Sequence, residues 1–301
     1  MKMIFTACLL TGLFFSGYAQ FAARESLGIV DSGEIREASG LVASSTYPGF
    51  FWTHNDSGDA ARIFLLDSLA RHRSTWYLPG VKARDWEEMG KMRRNDVEYL
   101  MVGDIGDNRA QREYITMYVF PEPVIELAAS EKVGIDSIVP EQVQVVHLQY
   151  EDGARDAEAF FYDDQDELLY VITKRELQVG VYSTPLPGFI ASSLTPSTDT
   201  LKLQLQLRLP TTWVTGADIS ARGDEILIKN LLQVLYWQRE AGESVIQALQ
   251  RPASRLPYRP EPQGEAIGFA ADGQHYYTIS ESLFGFPVHL FQYPRKRNLE
   301  P

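Results

Sequence analysis

One short pattern recurs along this chain and constrains its fold more than any other feature. Arg84-Asp-Trp-Glu-Glu-Met89, Arg155-Asp-Ala-Glu-Ala-Phe160 and Pro262-Gln-Gly-Glu-Ala-Ile267 share it. Arg36-Glu-Ala-Ser-Gly-Leu41 and Val214-Thr-Gly-Ala-Asp-Ile219 are degenerate relatives. Each copy introduces a short strand, a turn and an apolar second strand: Phe50 to His54, Tyr99 to Gly103, Leu168 to Thr173, Glu225 to Lys229 and His275 to Ser280. A third strand follows each time, at Arg62 to Asp67, Tyr114 to Phe120, Gly180 to Thr184, Val234 to Gln238 and Val288 to Tyr293. Internal repetition of this kind is the signature of units that bury their apolar faces against one another.

A fourth strand completes the first four units, at Arg73 to Leu78, Gln142 to Tyr150, Leu201 to Leu209 and Val245 to Gln250. The fifth unit runs out of chain, and Ser26 to Asp31 at the other end supplies the strand it lacks. The sequence therefore predicts an all-β fold, a five-bladed β-propeller closed by its N-terminal strand. Closure removes two sheet edges that would otherwise invite aggregation. Helical periodicity is scarce, and the segment around Val124 to Lys132 is read as one turn or a short helix. Pro121 to Pro140 and Pro185 to Thr200 read as decorations of blades. No linker calls for a second domain, so residues 20–301 are expected to form a single β-propeller domain.

The first nineteen residues read as an address label. Lys2 precedes the apolar run Ile4 to Phe15, and Gly17 and Ala19 have the spacing of a signal-peptidase site, so residues 1–19 are read as a signal peptide cleaved after Ala19. The run is too short for a membrane span. Cys8, the one cysteine, lies inside it, so the mature chain has no disulfide framework and no thiol chemistry. The expected location is secreted or periplasmic. A formal net charge of −12 repels nucleic acid and anionic lipid and favours a metal ion as partner. A monomer is expected, without nucleic acid and without a membrane span.

In a propeller the innermost strand of every blade starts at one mouth of the central channel, and the second strand ends there. The repeat therefore gathers Ser39, Glu87, Glu158, Ala217 and Glu265 about one axis as candidate metal ligands. Three converging carboxylates stay ionised together only if a cation joins them. Oxygen donors suit Ca²⁺ better than zinc. The same glutamates could instead bond neighbouring backbone and fasten the blades, and both readings stand at this point. The second-strand ends bring His54, Asp56, Asn108, Lys174 and Arg175 to the same face as candidate ligand-binding residues. Glu87 and Asp104 are the candidates to activate a water. Asp56-Ser-Gly-Asp59 and Asp104-Ile-Gly-Asp107 look like small calcium loops, although neither has EF-hand spacing and Asx-rich turns explain both as well. No Gly-x-Ser-x-Gly elbow supports a hydrolase triad. Trp52, Trp76, Trp86, Trp213 and Trp237 are expected to pack between blades rather than bind sugar.

As a set, Ser39-Gly-Leu, Trp52-Thr-His-Asn-Asp-Ser-Gly-Asp59, Asp85-Trp-Glu-Glu-Met89, Val102-Gly-Asp-Ile-Gly-Asp-Asn108, Asp156-Ala-Glu-Ala159, Thr215-Gly-Ala-Asp218 and Gln263-Gly-Glu-Ala-Ile267 resemble a family of uncharacterised secreted bacterial β-propeller proteins. The resemblance spans nearly the whole mature chain. More distantly, the chain is similar to the calcium-activated nucleotidases (apyrases), five-bladed propellers with Ca²⁺ in the central channel. That likeness implies a metal held by glutamate side chains and backbone carbonyls, with Ser39 and Ala217 contributing carbonyls. The basic nucleotide-binding residues of apyrases are not matched, so it implies fold and metal rather than nucleotide hydrolysis. Two functions remain open. One is a Ca²⁺-dependent hydrolase of phosphoesters or lactones; the other is a non-catalytic propeller that binds a small-molecule or envelope ligand or protein.

Overall fold

The computed structural model describes residues 20–125, 132–186, 200–283 and 285–296. The expected signal segment, most of the turn or short helix expected around Val124 to Lys132 and most of the 185–200 loop lie outside these residues. Strands of alternating or continuous apolar side chains, broken by Gly- and Asp-rich turns, account for nearly all of the secondary structure. β1 (Glu25–Ile29) comes first. The meander β2 (Ala38–Ala43), β3 (Phe50–Asn55), β4 (Arg62–Asp67) and β5 (His72–Tyr77) follows, then β6 (Trp86–Arg94), β7 (Val97–Asp104) and β8 (Ile115–Pro121). β9 (Gly134–Ser137) leads to β10 (Gln144–Tyr150). Next come β11 (Ala157–Asp163), β12 (Leu168–Thr173), β13 (Val179–Pro185) and β14 (Leu201–Leu209), then β15 (Val214–Ile219), β16 (Glu225–Asn230) and β17 (Val234–Gln238). Helix α1 (Val245–Leu249), β18 (Ser254–Leu256), β19 (Gly264–Phe269), β20 (His275–Ser280) and β21 (His289–Pro294) complete the chain.

Each meander is antiparallel, and two parallel pairings join elements that the repeat kept apart. β9 lies parallel to β5 and extends that sheet to five strands. β10 and β14 pair in parallel through Leu148–Tyr150 and Leu201–Leu203, fusing two meanders into one eight-stranded sheet. β1 pairs antiparallel with β21, setting Glu25 opposite Gln292 and Ile29 opposite His289, so the N-terminal strand covers the last edge. Among the described residues no helix is long and apolar enough to cross a membrane.

The strand expected at Val245 to Gln250 is instead helix α1. Ser244 caps it: its hydroxyl accepts the Gln247 N–H at 3.2 Å while Gln247 Oε1 accepts the Ser244 N–H at 2.8 Å. Val245, Ala248 and Leu249 form the buried face at helical spacing, and β18 takes the edge position beside β17.

The first strands of the meanders pack on one another in the closed order β2, β6, β11, β15, β19 and back to β2. Each carries a β-bulge near its start: at Ser39–Leu41, Trp86–Glu88, Ala157–Ala159, Val214–Gly216 and Gly264–Ala266. Counted from the residue paired with the end of the second strand, Ser39, Glu87, Glu158, Thr215 and Glu265 are equivalent. Thr215, not Ala217, therefore holds the fourth place. Ala217 lies two residues further along β15, buried against Ala159, Phe161 and Ile172. A two-residue slip keeps a side chain on the same strand face, so apolar patterning could not separate the two alignments.

Apolar layers fill the gaps between neighbouring sheets. Trp52 and Trp86 share one with Val42, Met89, Val102 and Phe120, and Trp237 is buried in another. Trp76 is half-buried. Trp213 departs from the expectation: it is 45% exposed, with a left-handed backbone φ of 55°.

Candidate functional site

Two hairpins at the face where the first strands begin carry the same pair of carboxylates with different neighbours. Asp156 precedes β11 and Glu158 is its bulge residue; Asp85 precedes β6 and Glu87 is its bulge residue. In the β11–β12 hairpin both charges are neutralised, since Lys174 Nζ donates to Glu158 and Arg175 Nε donates to Asp156. The equivalent positions after β7 are Ile105 and Gly106, which neutralise nothing. Among the described residues no hydrogen bond reaches the side-chain carboxylates of Asp85 or Glu87. Gly106 also leaves them room, because a methyl group on its Cα would collide with Glu87 Oε1 and Asp85 Oδ2.

Asp56, just after β3, completes the group. One carboxylate oxygen each from Asp56, Asp85 and Glu87 lies within 4.8 Å of the others. Burial, reinforced by Asp56 and Asp85, holds the Glu87 carboxyl well above the usual carboxylate range. Lys174 opposes that shift, but it is already bonded to Glu158. Burial also raises Asp85, with Asp104 adding to the effect. Asp56 is pushed up to about 6, again by burial, with repulsion from Asp85, Glu265 and Glu37. Three hard oxygen donors of like charge, with room between them, fit Ca²⁺ or a similar divalent ion.

The five-residue set drawn from the sequence fits a metal less well. Ser39 Oγ donates to the Glu87 carbonyl at 2.5 Å, and Glu158 is held by Lys174. The Ala217 N–H donates to Glu88 Oε2 at 3.1 Å, and Glu265 faces the charge of Lys229. Glu87 alone belongs to both sets.

Several other expected site residues are occupied by structural duties. His54 is fully buried, its Nδ1 donates to the Asn55 carbonyl at 2.8 Å, and its ring lies edge-on to Trp86. Burial lowers its pKa to about 4, so it is a neutral core residue out of reach of a ligand. Asp104, expected to activate a water, is 2% exposed and paired with Arg112 at 2.7 Å, and it also accepts the Arg84 N–H. Arg112 donates to the Gly106 carbonyl as well, and Asp107 accepts the N–H groups of Gln111 and Arg112 at 2.7 Å. A guanidinium thus fills the loop that resembled a calcium loop. In the other such loop Asp59 is taken by Asn55 and Arg62, leaving only Asp56 for the site. Asn108 accepts from Arg175, so neither is a free contact for an anion.

Four residues matter here to which the sequence assigned no role, although it places Lys229 and Glu281 at the second-strand ends on this face. Lys229 is fully buried, donates to Thr215 Oγ1 at 2.9 Å and to the Gly264 carbonyl, and is lowered to about 8 by burial against the pull of Glu265, Glu261 and Glu88. Glu281 follows β20 and is pushed up to about 8 by burial, with Glu265 and Asp56 adding to it. Glu88, beside Glu87 in the same motif, reaches across to β15. Asp85 had a legible signal: both Arg-Asp-x-Glu copies carry it, and only one is followed by a Lys-Arg pair.

No family model and no curated protein matches this chain. Solved structures similar to it include the crystal structure of a nidogen/laminin complex, with 10% identity and a TM-score of 0.47 over 82% of this chain and 73% of that one. Another is the PQQ-bound form of aldose sugar dehydrogenase from Streptomyces coelicolor, with 9% identity and a TM-score of 0.45 over 91% and 98% of the two chains. Neither likeness assigns a ligand or a reaction.

Proposed function

We propose that this protein is a secreted or periplasmic five-bladed β-propeller, one domain over residues 20–301, that holds Ca²⁺ at one end of its axis and binds an oxygen-rich ligand there. The closed order of first strands and the pairing of β1 with β21 support five blades. The cation ligands are Asp56, Asp85 and Glu87, which moves the metal away from Glu158, Ala217 and Glu265. One observation carries this reading: the Asp-x-Glu pair that Lys174 and Arg175 neutralise in the β11–β12 hairpin is left open at Asp85 and Glu87, with Gly106 making room. Three carboxylates fill only part of a shell of six to eight oxygens, so phosphoryl, carboxylate or lactone oxygens of a ligand can complete it.

In a hydrolytic form of this reading the ion itself would activate the reacting water, and Asp104, paired with Arg112, is not required as the base. Bound Ca²⁺ would polarise the phosphoester or lactone oxygen. Without turnover, the same site serves a binding propeller.

The test is calcium titration by calorimetry on wild type, Asp85→Asn and Glu87→Gln, together with turnover of nucleotides, aryl phosphates and lactones with Ca²⁺ or EDTA. Saturable binding lost in both variants supports the site, and turnover that requires calcium supports the hydrolase. Absence of calcium binding to the wild type overturns the reading.

A further inference from the structure

Three loops on the same face as the acidic trio are knitted together at Thr211. The Val179 N–H donates to the Thr211 carbonyl at 3.1 Å, Asn230 Nδ2 donates to Thr211 Oγ1 at 3.0 Å, and the Trp213 N–H reaches the Lys174 carbonyl at 2.6 Å. From these loops project Leu177, 91% exposed, Leu232, 74% exposed, and Trp213. The Arg175 guanidinium lies 5.2 Å from the Trp213 ring centroid and is itself fixed by Asp156 and Asn108. Trp213 is thus an exposed aromatic held in place by its strained backbone, its N–H and a stacked cation. Large apolar side chains displayed together on well-bonded loops mark a contact surface, and an aromatic beside arginine is the composition of interface hot spots.

Charge selects the occupant. The chain carries a formal net charge of −12. A second copy, an acidic protein or an anionic lipid surface would be repelled. A sugar ring could use Trp213 but would gain nothing from Leu177 and Leu232. We propose that the Leu177–Trp213–Leu232 surface docks an extended polypeptide segment of mixed apolar and basic side chains. Its apolar residues cover this surface, and its basic residues meet the negative field of the chain as a whole. The surface is separate from the cation ligands and does not depend on them.

The test uses a short fluorescein-labelled peptide alternating leucine and lysine, its leucine–glutamate twin, maltohexaose and phosphatidylcholine vesicles, at physiological salt. The lysine peptide is expected to bind the wild type, and Leu177→Ser combined with Leu232→Ser to weaken it by about tenfold or more. Both leucines are exposed, so the variant should fold, which its melting curve checks. Glu87→Gln should abolish calcium binding yet leave the peptide affinity within about threefold, a small change on the free-energy scale. Equal peptide binding by wild type and the double variant, equal binding of the glutamate twin, or preferential binding of maltohexaose or vesicles would overturn the proposal.

Discussion

Glu88 Oε2 accepts the amide N–H of Ala217 at 3.1 Å, joining β6 to β15 across 129 residues of sequence. The same carboxyl accepts the Met89 N–H at 3.0 Å, and burial holds its pKa well above the usual range. Glu88→Ala would strand two buried donors, each costing about 1–3 kcal/mol, so a loss of roughly 2–6 kcal/mol is expected in urea unfolding. Glu88→Gln keeps an acceptor oxygen and mimics the protonated acid, so it should cost much less. Equal losses for the two would contradict this account of the residue.

Stability should fall between about pH 6.5 and pH 8 in the absence of divalent cations. Glu281 is raised to about 8 from 4.5 and Asp56 to about 6 from 3.8. The native state therefore holds more protons than the unfolded chain, and their contribution, complete below the unfolded values, is lost as pH rises through the folded ones. Buried His54, lowered to about 4 from 6.5, acts in the opposite sense, but only below about pH 6.5. Lys229, lowered to about 8 from 10.5, does so only above about pH 8. Melting temperatures in EDTA should decline across the window, and Glu281→Gln should flatten the decline. A flat or rising wild-type profile would count against the acidic cluster.

Calcium should separate two glutamates that the repeat makes equivalent. At about a hundredfold excess over Kd a ligand of the native state adds about 2.7 kcal/mol, or on the order of 5–10 °C for a chain of this size. Glu87→Gln should erase that rise. Glu158→Gln should lower the melting temperature, because Lys174 loses its partner, yet keep the calcium response. Gly106→Ala should behave like Glu87→Gln, since the new methyl collides with both carboxylates. Loss of the response in Glu158→Gln and its survival in Glu87→Gln would return the ion to the original ring.

Arg112→Leu should be among the most damaging single substitutions. It leaves Asp104 buried and unpaired, for which about 3–5 kcal/mol is the usual cost. Asp104→Asn should cost stability without removing any turnover the folded protein shows. Selective loss of activity in a fully stable Asp104→Asn variant would restore Asp104 as the group acting on water.

Arg62–Asp67, Leu168–Thr173, Leu201–Leu209, Val234–Gln238 and His275–Ser280 form strands with the bounds read from the sequence. Alternation of side chains and the turn residues beside them are local properties, and they suffice for this. Helix α1 was equally local, since Ser244 and Gln247 spell a capping box that the strand pattern of the other repeats overrode. The chain by itself also determined that Glu87 and Glu158 are equivalent and that Asp85 and Asp156 precede them. It could not determine which of these charges is free. Lys174 reaching Glu158, Arg112 filling the loop beside Asp104 and Lys229 facing Glu265 depend on how the hairpins stand about the axis. Coulomb energy follows distance and burial rather than sequence spacing, so only the tertiary structure gathers Asp56, Asp85 and Glu87 within reach of one another and leaves that trio without an ion-pair partner among the described residues.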